Sequence, residues 1–188
     1  MKTMVTVHHE RCLRDQAVEN PRLEYLNVSV NGLTGKRHPI MYNIESTYEA
    51  ERARVHIKML SGDYPCFENL ARDGNVPPFC RICSPEIISG DPPTESLAHV
   101  LSHCVGTSGT RSRLLPDLLN TIASVCPDNP VLNEYSHMTQ FILDPTSLNL
   151  PLAARISPEN PTLSSVLSCC RNFAYQIHKD RIRLLRSL

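Results

Sequence analysis

Cys80-Arg-Ile-Cys83, followed fifteen residues later by His99-Val-Leu-Ser-His103-Cys104, is the stretch whose residue types and spacing could carry chemistry. Two thiols separated by two residues can grip one ion from a tight turn, and zinc takes four thiolate or imidazole donors in a tetrahedron. Pro77, Pro78 and Phe79 suit an extended approach to the first pair. Thr94, after Pro92 and Pro93, is placed to cap a helix, with Glu95 in a first turn where the dipole favours a carboxylate. Leu97, His99, Val100, Leu101 and Cys104 then run without a breaker to Gly106. On that helix His99 and His103 share a face, so Cys80, Cys83, His99 and His103 form one candidate ligand set. The other replaces His103 by Cys104, reachable where the helix frays, and it is preferred because thiolate is the softer ligand. With all four positions filled by protein the Zn2+ would be structural. The bland reading is a redox or merely buried cysteine pair with His99 on the surface, and the downstream ligand spacing weighs against it. Pro85, Gly90, Pro92 and Pro93 make the intervening stretch a loop.

The elements that must position this knuckle are helical. Ser46-Thr-Tyr-Glu49 is a capping box that opens a helix from about 47 to 60, with Ala50, Ala53, Ile57 and Leu60 as its apolar stripe and Arg52, His56 and Met59 beside it. Asn20-Pro21 starts a shorter helix through Leu23, Tyr25 and Leu26. After the knuckle, 105–109 reads as a loop and 111–125 as a helix with Leu115, Leu118, Ile122 and Val125 on one side, started or kinked by Pro116. A further helix is expected over 131–143, with Leu132, Tyr135 and Ile142 inward, closed by Asp144-Pro145. The last element is the longest: Leu163, Leu167, Cys170, Ala174, Ile177 and Leu184 keep a helical stripe for about seven turns. Residues 1–19 suggest only a polar helix, and 35–39 a turn with a small basic cluster.

The expected fold is mainly α, with several short helices around a structural zinc knuckle and a long basic helix at the end. Three segments follow: a partly ordered 1–43, a helix plus knuckle over 44–107, and a helical 108–188, with 44–188 as one folded unit. Fifteen prolines and no tryptophan fit short helices and stiff turns. Positive and negative side chains balance at 19 each, so net charge points to no partner. Met1 to Glu19 lacks an apolar run and no stretch approaches a membrane span, which implies an intracellular protein of nucleus or cytoplasm with reduced cysteines. No nucleophile elbow or P-loop is present, so neither an enzyme nor a small-molecule substrate is indicated. Charge is locally uneven: Arg52, Arg54 and Lys58 give the 47–60 helix a positive side, and Arg171, Lys179, Arg181, Arg183 and Arg186 crowd the last one. A solvated face or dipole complement is the bland reading, and a phosphate-backbone contact the sharper one.

The order C-x2-C, loop, H-x4-C resembles the zinc-binding segment downstream of the reverse transcriptase core in non-LTR (LINE-type) retrotransposons. Leu23-Glu-Tyr-Leu26 with Gly35 and His38-Pro39, Lys58-Met-Leu-Ser-Gly62-Asp-Tyr64, Leu97 to Cys104 with Arg111, Phe141-Ile-Leu-Asp144-Pro145, and Tyr175, His178 and Arg181 are similar in order and spacing over roughly 20–186. The resemblance supports His99 and Cys104 as third and fourth ligands. It implies a non-catalytic module that holds template RNA or target DNA, with Arg52, Arg54, Lys58, Arg181, Arg183 and Arg186 on phosphates. Two departures are a longer loop between Cys83 and His99 and the lack of any Asp-Asp pair, so the polymerase core is missing. The alternative function is a zinc-organised protein-interaction adaptor, although a RING would need eight ligands in interleaved pairs.

Overall fold

The computed structural model describes residues 11–12, 15–16, 18–26, 39–41, 43–72, 74, 76–83, 92–125, 138–147 and 161–188. Expectations for the polar stretch before residue 11, the basic cluster at 35–38, the loop at 84–91, Leu132 and Tyr135, and the connector after 147 lie outside the described residues. The architecture is mainly α, and among the described residues no strand forms beyond one isolated antiparallel bridge between Phe79 and Thr94. Among the described residues five α-helices carry it: α1 (Thr47–Leu60), α2 (Phe67–Arg72), α3 (Ser108–Val125), α4 (Met138–Leu143) and α5 (Pro161–Leu185). Short 3-10 turns at Pro21–Leu23, Pro39–Met41, Val105–Thr107 and Pro145–Ser147 join them, with a π turn at His99–His103.

α5 is the axis, about 37 Å long from its 25 residues at 1.5 Å each. α1, α3 and α4 pack on it. α1 runs in the same direction as α5, since Asn43 meets Ser164 at one end and Tyr64 meets His178 at the other. The core between them takes Met59, Leu118, Ile122, Phe141, Phe173 and Ile177, all at most 1% exposed. Burying one such side chain contributes about 1.5–3 kcal/mol, which is why the stripe on α5 recurs at helical spacing over its whole length. Pro116 sits inside α3 without ending it.

α1 begins where its capping box places it: the Ser46 hydroxyl accepts from the Glu49 N–H at 3.1 Å. Its buried face is rotated from the expected stripe. Ala50 is exposed and Ile57 half-buried, whereas Arg52, Val55, His56 and Met59 face inward with Ala53 and Leu60. Polar ends can be buried here because they find partners: His56 Nε2 lies 2.8 Å from the Leu143 carbonyl, and Arg52 donates to the Ser168 carbonyl at 2.8 Å. Beyond α1, Gly62 takes a φ of +73° and the Arg22 carbonyl lies 2.5 Å from where a Cβ would be, so only glycine fits that reversal.

Candidate metal centre

Two short pieces of chain make the site, and the Phe79–Thr94 bridge holds them together. The Cys80 N–H donates to the Pro93 carbonyl at 2.9 Å and the Glu95 N–H to the Pro78 carbonyl at 2.7 Å. Cys80 to Cys83 then forms the tight turn that aims two sulfurs at one point. The second pair comes from a turn that starts later than expected. Thr94 lies in the bridge rather than at a cap, and it is the Ser96 hydroxyl that accepts from the His99 N–H, at 3.1 Å. From His99 the backbone opens into a π turn, closed by the Cys104 N–H on the His99 carbonyl at 2.7 Å. That i to i+5 bond brings residues five apart into register, which an α-helix does for residues four apart.

Cys80, Cys83, His99 and Cys104 therefore converge, their donor atoms all within 4.8 Å of one another and every residue buried. His103 is exposed, with Nδ1 3.4 Å from the Ala98 carbonyl, and takes no part. The Sγ of Cys104 lies 3.9 Å from that of Cys80 and 3.7 Å from that of Cys83, and Cys83 Sγ lies 3.5 Å from His99 Nε2. These are not disulfide distances, which are about 2.05 Å. A tetrahedron with zinc's bond lengths, about 2.3 Å to sulfur and 2.0–2.1 Å to nitrogen, has sulfur–sulfur edges of about 3.8 Å and sulfur–nitrogen edges of about 3.6 Å. The three Cys–Cys and Cys–His distances above are close to those edges, and the donor types suit a four-coordinate ion.

Of the three thiols, one is set to give up its proton and two to keep theirs. Hydrogen bonding from Cys80, with help from His99, Cys83 and the Thr107 backbone, pulls the Cys104 thiol down to about 3. The hydrogen bond to Cys104 and burial push Cys80 up, and burial together with the Cys104 charge pushes Cys83 up. Three crowded sulfurs cannot all ionise unless a cation sits among them. The carbonyl of Cys104 is fixed by the Arg111 guanidinium at 3.2 Å and by the Thr107 hydroxyl at 3.2 Å. Gly106 permits the close pass behind the knuckle: a Cβ there would lie 2.2 Å from Ile82 Cγ2.

Glu95 is the residue the sequence concealed. It is fully buried rather than on a first helical turn, and its Oε1 accepts from the Phe67 N–H at 3.0 Å, at the start of α2. The same oxygen pairs with Arg181 of α5 at 2.6 Å, and Arg181 also donates to the Pro65 carbonyl at 2.9 Å. Tyr64 and Phe67 rings flank that guanidinium at 5.5 and 5.7 Å. Nothing local in the sequence marks a pair whose members are 86 residues apart.

The expected phosphate contacts divide. Arg181 is 3% exposed and Arg52 is 7% exposed, with Arg52 pairing to Glu49 at 2.5 Å, so both are held inside the protein and neither can reach a phosphate. Arg54, Lys58, Arg183 and Arg186 are exposed. Arg183 meets Asp180 at 3.1 Å on the surface, a contact worth little. No helix among the described residues is long and apolar enough to cross a membrane. No protein family, curated protein or solved structure matches the chain.

Proposed function

We propose that the chain is a zinc-organised nucleic-acid-binding module. A structural Zn2+ on Cys80, Cys83, His99 and Cys104 would fix the knuckle against the helices, and exposed cations of α1 and α5 would hold a phosphate backbone. The observation that carries this reading is uneven charge on a chain with no net charge. Arg54 and Lys58 of α1 and Lys179, Arg183 and Arg186 of α5 face solvent. Among the described residues Arg54, Lys58, Lys179 and Arg186 join no ion pair. Cations of that kind attract phosphates, release counterions and position a strand without reading its bases.

Three cysteine sulfurs and one imidazole drawn together at close quarters support zinc as the ion. Bound there, zinc supplies a fixed corner for the chain, and four protein donors leave no position for an activated water, so the module is non-catalytic on this reading. The motif order supports an origin in a non-LTR retrotransposon protein, in which the segment would hold template RNA or target DNA. Binding of a generic RNA to the metal-loaded protein should weaken linearly with salt on log–log axes. Arg54→Gln and Lys58→Gln should each flatten that slope by roughly 0.7–0.9, with helicity and metal content unchanged. Salt-independent binding, or none, would favour a protein-interaction adaptor instead.

A further inference from the structure

The face that carries Arg54 and Lys58 also carries a row of aromatic rings. Tyr48, in the first turn of α1, is 48% exposed. Its ring is nevertheless held: Tyr175 of α5 meets it at 86° with centroids 5.7 Å apart, the Arg52 guanidinium lies 5.4 Å from its centroid, and Gln176 Nε2 donates to its hydroxyl at 3.4 Å. Tyr175 is fixed in turn by its hydroxyl donating to Glu51 at 2.9 Å, and Lys179 Nζ lies 5.8 Å from its ring centroid. His178 continues the row, 6.5 Å from Tyr175. Arg54 and Lys58 stand close enough that, behind burial and Arg181, their charges help to lower the His178 pKa. Tyr48 to Lys58 covers about 15 Å of helix, the length of a short stretch of extended strand.

A duplex can meet the cations of such a surface but not its ring, because its bases are stacked inside and beyond the reach of a side-chain ring. A single strand can use both, since unpaired bases stack on aromatic rings while the phosphates between them sit on cations. We infer that the α1–α5 face is a single-strand platform on which Tyr48 stacks a nucleobase while Arg54, Lys58 and Lys179 hold the flanking phosphates. This rests on the nucleic-acid reading above and narrows it to unpaired RNA or DNA. Glu51 is the carboxylate within the row, and the Tyr175 hydroxyl already engages it.

The probes are a short fluorescent oligouridylate and an RNA duplex of equal length, titrated against the full metal-loaded chain. Tyr48→Ala should weaken oligouridylate binding roughly 5- to 100-fold, the loss of one base–aromatic stack, and leave duplex affinity and the salt slope unchanged. Tyr48→Phe keeps the ring and should bind as the unaltered protein does. Should Tyr48→Ala lose helicity, Tyr48→Leu replaces it, keeping an apolar contact to Tyr175 without a π face. Lys179→Gln should act differently, lowering affinity together with a fall of roughly 0.7 in the salt slope. Undiminished oligouridylate binding by folded Tyr48→Ala or Tyr48→Leu overturns the platform and leaves the phosphate-binding reading standing. Failure of the unaltered protein to bind either probe overturns that reading, and the platform with it.

Discussion

His103 and Cys104 are neighbours in the chain, yet they leave the π turn in different surroundings. The Cys104 sulfur faces Cys80 and Cys83 and is 2% exposed, while the His103 ring lies in solvent. A structural site loses much of its binding free energy with one thiolate. Cys104→Ser should therefore abolish the one-to-one zinc content expected, on the proposed function, of protein purified under reducing conditions, and His103→Ala should leave it intact. Metal analysis decides between them, and the opposite pattern would make His103 the fourth ligand. The Cys80/Cys83 pair and His99 were legible from type and spacing, because coordination demands a few residue types at close quarters. The preference for Cys104 was legible from donor softness, but the π turn that delivers it was not, since Val100 to His103 holds no Gly or Pro to signal a break from the α-helix. Exposure of an arginine was less legible still. Arg52 and Arg181 read like Arg54 and Arg183 in sequence, and the partners that set them apart include the carbonyl of Ser168 and the carboxylate of Glu95, each far away in the chain.

At the scale of elements, the buried Arg181–Glu95 contact does what no local signal announced: it ties the metal loop, the start of α2 and the last turns of α5 to one carboxylate. Both side chains are removed from water, so removing one partner should cost far more than losing a surface pair. Arg181→Met leaves Glu95 charged and buried, and denaturant unfolding should show a loss of about 3–5 kcal/mol. Adding Glu95→Gln should recover part of that loss. The neutral amide carbonyl still accepts from the Phe67 N–H, and no uncompensated charge remains. A single variant as stable as the unaltered protein would mean that the contact is neutral. Helix extents were readable where a cap and a stripe agree, as for α1, or where a stripe recurs over many turns, as for α5. The face of α1 was misread because periodicity counts apolar residues, and here His56 and Arg52 occupy core positions through hydrogen bonds that periodicity does not see.

At the scale of the molecule, two hydrophobic clusters among the described residues differ in what holds them. The small one consists of Cys80, Cys83 and Cys104 with Ile82 against them, too little apolar surface to persist once three sulfurs repel one another. The large one runs from Val55 and Met59 through Leu118 and Phe141 to Phe173 and Ile177, and none of its residues belongs to the candidate ligand set. They meet at the His99 turn, where Leu97, Val100 and Leu101 point into the large core while His99 turns to the site. The Arg111 bond to the Cys104 carbonyl and the Glu95–Arg181 pair are further links. Chelation should therefore act unevenly. Amide exchange should lose its protection over 79–83 and 94–107 and weaken near Arg181, while the amides of α1 and of α5 from Leu163 to Ile177 stay protected. Far-ultraviolet circular dichroism should fall only slightly, because the knuckle contributes one π turn and one 3-10 turn while the long helices contribute the rest. Full collapse of helicity on chelation would show that the large core cannot stand without the knuckle. Unchanged protection around Cys80 and His99 would show that the cluster is held by packing alone, and the metal would lose its structural role.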